Sequence, residues 1–226
     1  VARSPLAAHA ADLSNAAFPF AASREIWLGR ALVRASRITY VGELGWELYV
    51  PVEFAAGVYD ALHEAGGDLG LADAGYYAIE SLRVEKAYRA WGRELTTDDT
   101  PLEAGLGFAV RFDKAAPFIG REVLLAQRGK PLGKRLVNFV LDDPAGLPLG
   151  DEPIWCDGSI VGSTSSAAYG HTLGRAVAMG YVTRPAGVDA AYLSQARFEI
   201  EIAGDRFAAH GSLKAPYDPQ GLRVKS

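Results

Sequence analysis

The chain has 226 residues, of which 49% are hydrophobic and 22% are charged, and its formal net charge is -4. This balance is typical of a folded globular chain that is long enough for one large domain or two small ones. Lys and Arg are scattered along the sequence, so the clustered basic pattern that nucleic-acid binding needs is missing. No apolar run reaches the length of about 18 residues that a membrane span needs.

The cysteine content points to a reducing compartment. The single cysteine, Cys156, rules out an internal disulfide framework, and we predict a cytoplasmic location and a structural role for this thiol. The four histidines show no metal-ligand spacing, so no metal site is predicted. The chain begins with Val1 and shows no signal-peptide pattern, and we expect it to be a piece of a longer protein.

The first half of the chain mixes strand and helix patterns. We predict, in order, a helix at 3–10, a loop at 12–22, strands at 24–28 and 31–40, a turn at 41–45, a strand at 46–50, helices at 51–65 and 73–91, a strand at 106–110 and a helix at 120–127. Gly66 and Gly67 are expected to end the first long helix, and Asp73 is expected to cap the second.

The second half is rich in short β patterns separated by turn residues. Strands are predicted at 135–141, 153–155, 159–163, 176–182 and 197–202. Asp157-Gly158 and Gly204-Asp205 are typical of tight hairpin turns. We therefore predict two domains, 1–130 with α+β character and 131–226 as a small all-β barrel domain.

The hairpin near residue 50 contains carboxylates beside aromatic residues. On a strand, Glu47 and Tyr49 share one face, while Trp46 and Leu48 share the other. A carboxylate accepts two parallel N–H bonds, as the amino edge of a pterin would donate, and Tyr40 and Tyr49 would stack on its ring. The alternative is an exposed hairpin carboxylate with ordinary cross-strand pairs, and spacing alone favours that alternative.

The second long helix is dense in charged residues. Arg83 or Lys86 could pair with a ligand carboxylate, such as a glutamyl tail. The alternative is a salt-bridged helix face in which Glu85 pairs with Arg89 at i,i+4 spacing. Spacing favours the second interpretation.

Several segments occur in a characteristic order along the chain. They are Asp12-Leu-Ser-Asn-Ala-Ala-Phe-Pro-Phe, Tyr40-Val-Gly-Glu-Leu-Gly-Trp-Glu-Leu-Tyr-Val, Tyr77-Ala-Ile-Glu-Ser-Leu-Arg-Val-Glu-Lys, Thr100-Pro-Leu-Glu-Ala-Gly-Leu, Phe118-Ile-Gly-Arg and Pro216-Tyr-Asp-Pro-Gln-Gly-Leu-Arg. Together they resemble the glycine cleavage T-protein family, and most of all the folate-dependent C-terminal half of dimethylglycine and sarcosine dehydrogenases. The resemblance covers nearly the whole chain.

The resemblance implies a ferredoxin-like folate-binding region, truncated at its N-terminus, followed by a β-barrel. It implies tetrahydrofolate as cofactor, and a methylated amine or aminomethyl compound as the donor of the one-carbon unit. The family's pterin-binding carboxylate falls on Glu47 and an aromatic wall of the pocket on Tyr40, while Tyr88 is a further candidate.

Two departures from the family pattern limit what this chain is expected to do. The family's essential aspartate lies upstream of the matched segment, so we predict no catalytic residue here and no turnover by this piece alone. Ile79 replaces an arginine of true T-proteins, which favours the dehydrogenase branch, whose FAD domain would also lie upstream. A non-catalytic folate-binding docking module and a folate-dependent demethylase remain as alternatives.

Overall fold

A computed structural model of the protein describes residues 11–226, so the helix predicted at 3–10 lies outside the described residues. The chain divides into two compact units. The first extends to Ile79 and includes Gln220–Ser226, and the second is Glu80–Pro219. These units are defined by the packing of the chain and do not test the domain boundary predicted at residue 130, which stays a prediction.

A three-stranded antiparallel sheet forms the centre of the first unit. Its strands, in spatial order, are β1 (Ser23–Leu28), β2 (Ala31–Ser36) and β3 (Glu47–Tyr49). Alternation along the strands places one side of the sheet in the core, where it packs with the helix α1 (Ala55–Gly66). The core residues of this unit are Leu13, Phe18, Ile26, Leu28, Ala31, Val33, Ala35 and Val58.

The predicted hairpin is confirmed, but β2 ends four residues earlier than expected. Arg37, which is 1% exposed, turns its guanidinium inward and donates to the carbonyl oxygens of Phe18 and Ser226, each at 2.8 Å. The Ile38 N–H then bonds back to the Ser36 carbonyl at 2.9 Å, which turns the chain out of the sheet. The strands are therefore joined by residues 37–46 instead of a tight turn at 41–45.

The two long helices are shorter than predicted. A single 3-10 turn, Val52–Phe54, precedes α1, which ends at Gly66 as expected. The second helix, α2, is Tyr76–Glu85 instead of 73–91. Asp73 does not cap it, because its carboxylate accepts the Tyr59 hydroxyl at 2.7 Å. The helix ends where Ala87 takes a φ of 56°, in the left-handed region.

The segment between α2 and the barrel is mostly turns. The strand predicted at 106–110 is wrong, since residues Gly107–Ala109 form a 3-10 turn. The Leu106 N–H bonds to the Pro101 carbonyl at 2.7 Å and Gly105 has a φ of 71°, so the backbone curls instead of extending. The helix predicted at 120–127 is confirmed as α3 (Arg121–Arg128).

Six antiparallel strands close into a barrel. They are β4 (Lys134–Leu141), β5 (Pro153–Cys156), β6 (Ser159–Gly170), β7 (Arg175–Thr183), β8 (Phe198–Ile202) and β9 (Asp205–Ser212), in the spatial order β4-β7-β6-β5-β8-β9. The predicted α+β class with an all-β barrel is confirmed. Strand β9 and a short helix, α4 (Ala190–Gln195), were not predicted.

The two predicted hairpin turns differ in outcome. Asp157 and Gly158 have φ values of 48° and 84°, as a tight turn between β5 and β6 requires. In the other hairpin the turn residues are Ala203 and Gly204, one position earlier than predicted, because Ile202 pairs with Asp205. Alanine at a positive φ is strained, which is why the sequence favoured the wrong pair.

The Cys156 thiol lies at a position where slow reaction with thiol reagents is expected. It is 6% exposed at the end of β5, and its Sγ accepts the Tyr192 hydroxyl at 3.2 Å, so the predicted structural role agrees with its position. Burial raises the pKa of the thiol, so little thiolate is present at pH 8. We expect it to react with Ellman's reagent at least about tenfold more slowly in the native chain than in urea; equal rates would contradict the buried position.

Candidate functional site

The outer face of the three-stranded sheet lies on the side opposite the core. It consists of Ser23, Glu25, Trp27, Leu32, Arg34, Ser36, Glu47 and Tyr49. On β3 the neighbours of Glu47 turn inward: Trp46 packs edge-to-face on Phe18, with ring centroids 4.6 Å apart, and Leu48 contacts the same core. The predicted alternation on β3 is therefore confirmed, and it leaves Glu47 facing away from the core.

Glu47 and Tyr49 are in direct contact on the outer face. The Tyr49 hydroxyl donates to Oε2 of Glu47 at 3.0 Å, and the Tyr49 side chain is 59% exposed. This hydrogen bond, followed by the charge of Glu47, raises the pKa of Tyr49. The phenol therefore stays protonated at neutral pH and holds the carboxylate in one orientation.

The strand register places other functional groups beside this pair. Ser36 lies opposite Glu47, and Arg34 lies opposite Tyr49. The Arg34 guanidinium pairs with Glu25 on β1 at 3.3 Å, and both side chains are more than half exposed. Sequence reasoning missed Arg34, although the alternation of β2 could have found it, since every second residue of that strand faces outward.

The connection between β2 and β3 depends on its glycines. Gly42 has a φ of 81°, and a side chain at Gly45 would lie 3.1 Å from Cβ of Thr39. The glycines of the motif therefore serve the path of the backbone. Tyr40 lies in this connection, and its side chain is 38% exposed.

Tyr88 belongs to the second unit, where it follows the end of α2. Burial, followed by the charge of Asp218, raises the pKa of its phenol. Its backbone carbonyl accepts the Arg83 guanidinium at 2.9 Å. The proposed contact of Tyr88 with folate stays a prediction.

The two cations that were considered as partners for a ligand carboxylate are buried and already paired. Arg83 is 1% exposed and forms ion pairs with Glu80 and with Glu94, the second at 3.1 Å. The Lys86 ammonium contacts Asp218 at 2.6 Å. Neither group faces solvent as a free site for a ligand would, which agrees with the preference of the spacing for ion pairs within the protein.

The alternative, a salt-bridged helix face, is confirmed by the pair of Glu80 with Arg83 at i,i+3 spacing, but the pair named for it is wrong. Glu85 does not pair with Arg89: its Oε1 accepts the backbone N–H groups of Thr172 and Leu173 at 2.9 and 3.0 Å. The Arg89 guanidinium donates to backbone carbonyls, including that of Ala104 at 3.0 Å. Glu85 and Arg89 thus bind backbone groups of loops in the second unit.

Two general properties of residues 11–226 bear on function. No cluster of His, Cys, Asp or Glu within that range could hold a metal ion. The helices of the same range are all too short or too polar to cross a bilayer.

A mixed sheet-and-helix unit that precedes a closed antiparallel barrel is the architecture of an aminomethyltransferase. The glycine cleavage system aminomethyltransferase T of Bartonella henselae superposes with a TM-score of 0.74 and 25% identity, over 89% of this chain and 53% of that one. Residues 2–114 match the GCVT N-terminal domain, and residues 134–218 match the glycine cleavage T-protein C-terminal barrel domain. The chain belongs to the glycine cleavage T-protein family, which confirms the resemblance found in its motifs.

Two longer relatives agree with the dehydrogenase branch. Human mitochondrial sarcosine dehydrogenase is 42% identical over 95% of this chain, and human mitochondrial dimethylglycine dehydrogenase is 39% identical over 88%. The matched regions are 24% and 22% of those proteins, so the chain spans about a quarter of their length. Both are named as mitochondrial, which does not fit the strictly cytoplasmic location predicted from the cysteine content.

Proposed function

We propose that this chain is the tetrahydrofolate-binding portion of a protein that transfers a one-carbon unit to tetrahydrofolate. The donor would be a small methylated amine, as for sarcosine or dimethylglycine dehydrogenase, or an aminomethyl compound. The observation that carries the proposal is the outward-facing Glu47 carboxylate, held by the Tyr49 hydroxyl on a sheet face that the core does not cover.

The chemistry of this pair fits the edge of a pterin. The pterin presents an exocyclic amino group beside a ring N–H, and a carboxylate accepts both with its two oxygens. Within the described residues, Tyr49 is the hydrogen-bond partner of Glu47, and it occupies one oxygen only. The remaining lone pairs are free to accept from a ligand. The exposed rings of Tyr49 and Tyr40 offer flat surfaces for stacking.

The proposal gives the residues of this chain a binding role. Bound tetrahydrofolate would supply the nitrogen that accepts the one-carbon unit, while Glu47 would fix the orientation of the pterin. We place the family's catalytic aspartate, and the FAD of a dehydrogenase, in a segment upstream of the region matched here. Turnover would therefore require the longer protein.

The test is a calorimetric titration with folinic acid of the wild type, Glu47→Gln and Glu25→Gln. Gln keeps the shape of Glu but replaces one acceptor oxygen by a donor, so Glu47→Gln is expected to weaken binding at least about tenfold, because hydrogen bonds to charged groups are worth about 1.5–3 kcal/mol. Glu25→Gln removes the same charge from the same outer face and is the matched control, expected to bind like the wild type.

Two results would count against the proposal. One is a titration of the wild type that shows no saturable heat of binding, since the outer face would then not bind folate. The other is equal weakening by both variants, because the effect would then reflect the net charge of the face instead of a contact with Glu47.

A further inference from the structure

A cleft in the second unit is lined by cations that the proposed function does not use. Its volume is about 450 Å³, and its walls come from the turns after Pro101, the end of α3, the start of β4 and the loop that follows β7. Three basic residues line it: Arg128, Lys130 and Arg135. The chain as a whole has a net charge of -4, so this cluster of positive charges is opposite in sign to the protein overall.

The one acidic residue of the cleft is already engaged. Asp189 is the N-cap of α4, and its Oδ1 accepts the backbone N–H of Tyr192 at 2.8 Å. Its charge is thus placed at the positive end of a helix. The three cations consequently outnumber the single carboxylate and leave the lining with a positive excess.

Arg135 carries an unsatisfied buried group. Its Nε is shielded from solvent and has no hydrogen-bond partner within residues 11–226, while its Nη1 reaches the Val188 carbonyl only at 3.4 Å. A buried donor without an acceptor is unfavourable. Burial lowers the pKa of this guanidinium, and the nearby charge of Asp189 offsets that shift in part. Because this Nε is closed to solvent, an anion in the cleft would bind the guanidinium through its Nη atoms.

The backbone keeps the cleft open. Gly187 has a φ of 99°, and a side chain there would lie 2.7 Å from Cβ of Pro131. A second hollow, of about 390 Å³, shares Arg128 with the cleft and is also lined by Asp113. The Arg128 guanidinium lies over the ring of Phe112, 5.1 Å from its centroid.

We propose that this cleft is a binding site for a small multivalent anion that carries carboxylate or phosphate groups. Arg135 provides a guanidinium at the wall of the cleft, and Lys130 and Arg128, which are exposed, bind further oxygens. The site is independent of Glu47 and does not rest on the folate proposal. Both oxyanions fit the planar fork of a guanidinium, so the ligand class is defined by charge and by acceptor geometry.

The test is an NMR titration of the purified chain with citrate and, separately, with inorganic pyrophosphate. Saturable shifts are expected for the backbone amides of Gly107 and Gly187 and for the Nε–H of Arg135. Arg135→Gln is expected to weaken binding at least about tenfold. The double variant R128Q/K130Q is expected to weaken binding by a similar factor. It tests the site on its own if Arg135→Gln does not fold.

Arg34→Gln is the matched control, because it removes one positive charge from the first unit and is expected to leave both titrations unchanged. Saturation by citrate, pyrophosphate or both supports the site and tells carboxylate from phosphate ligands. The proposal is overturned if neither probe saturates below about 10 mM, or if Arg34→Gln weakens binding as much as the cleft variants do.

Discussion

Replacing Arg83 by Met is expected to lower the free energy of unfolding by about 3–5 kcal/mol. Arg83 and Glu94 are 1% and 0% exposed, and their side chains meet at 3.1 Å. Without the guanidinium, the Glu94 carboxylate would stay buried without its counter-charge. It would keep neutral donors, such as the Ser165 hydroxyl at 2.7 Å and the Ala90 N–H at 2.8 Å, and the more distant charge of Arg89.

The chain offers a matched control for this experiment. Arg34→Met breaks an ion pair of similar length, 3.3 Å, but its two partners are 54% and 57% exposed. Solvent screens that pair, so the expected loss is about 1 kcal/mol or less. Both variants are compared with the wild type by urea unfolding. Equal losses of unfolding free energy in the two variants would mean that burial does not make the Arg83–Glu94 pair more stabilising than the exposed pair.

A double variant separates the charge from the packing. R83M/E94L removes both buried charges, and it is expected to be more stable than Arg83→Met alone, since a buried pair can often be replaced by apolar residues. A double variant as unstable as the single one would show that the stabilisation lies in the hydrogen bonds to backbone and serine groups.

Gly162→Ala is expected to destabilise the barrel by about 1–3 kcal/mol or more. Gly162 lies on β6 and pairs with Val182 on β7, and a Cβ at this position would collide with the backbone carbonyl of Tyr181. A backbone atom within a closed barrel has little room to shift. Only glycine allows the two strands to approach this closely.

Gly67→Ala is the control for that substitution. Gly67 has a φ of -54°, and an added Cβ would meet no atom within 4 Å. Alanine there is expected to change stability by about 1 kcal/mol at most, and in the stabilising direction, because it restricts the unfolded chain. Thermal unfolding of both variants checks the pair. A tolerated Gly162→Ala would contradict the close strand approach.

Local patterns were enough to predict much of the fold. The alternation at Trp46 to Tyr49, the helix that ends at Gly66 and the turn at Asp157-Gly158 depend on residues close in sequence, and all three are confirmed. These features follow from side-chain periodicity and from the φ values that glycine and aspartate tolerate.

The incorrect predictions depend on contacts between distant residues. β2 ends early because the Arg37 side chain reaches Phe18 and Ser226, and Asp73 fails to cap α2 because Tyr59 binds its carboxylate. Spacing along the chain carries no information about such partners. The end of α2 at Ala87 was missed for another reason, since alanine rarely adopts a positive φ.

The candidate sites show the same contrast. Glu47 and Tyr49 are two positions apart on one strand, so alternation was enough to bring them together. The cationic cleft is assembled from segments near residues 105, 130 and 187, and no local motif connects them. A buried donor such as the Arg135 Nε is visible only once the surrounding chain is in place.

The most direct test of the central claim follows the Glu47 side chain itself. The carboxyl carbon of Glu47 is assigned by comparing ¹³C-labelled wild type with Glu47→Gln, and the wild type is titrated with 6-hydroxymethylpterin and with p-aminobenzoylglutamate. If Glu47 binds the pterin edge, its carboxyl signal shifts and saturates with the pterin and stays unchanged with p-aminobenzoylglutamate. A carboxyl signal that does not shift with the pterin, or that shifts only with p-aminobenzoylglutamate, would contradict a pterin-binding role for Glu47.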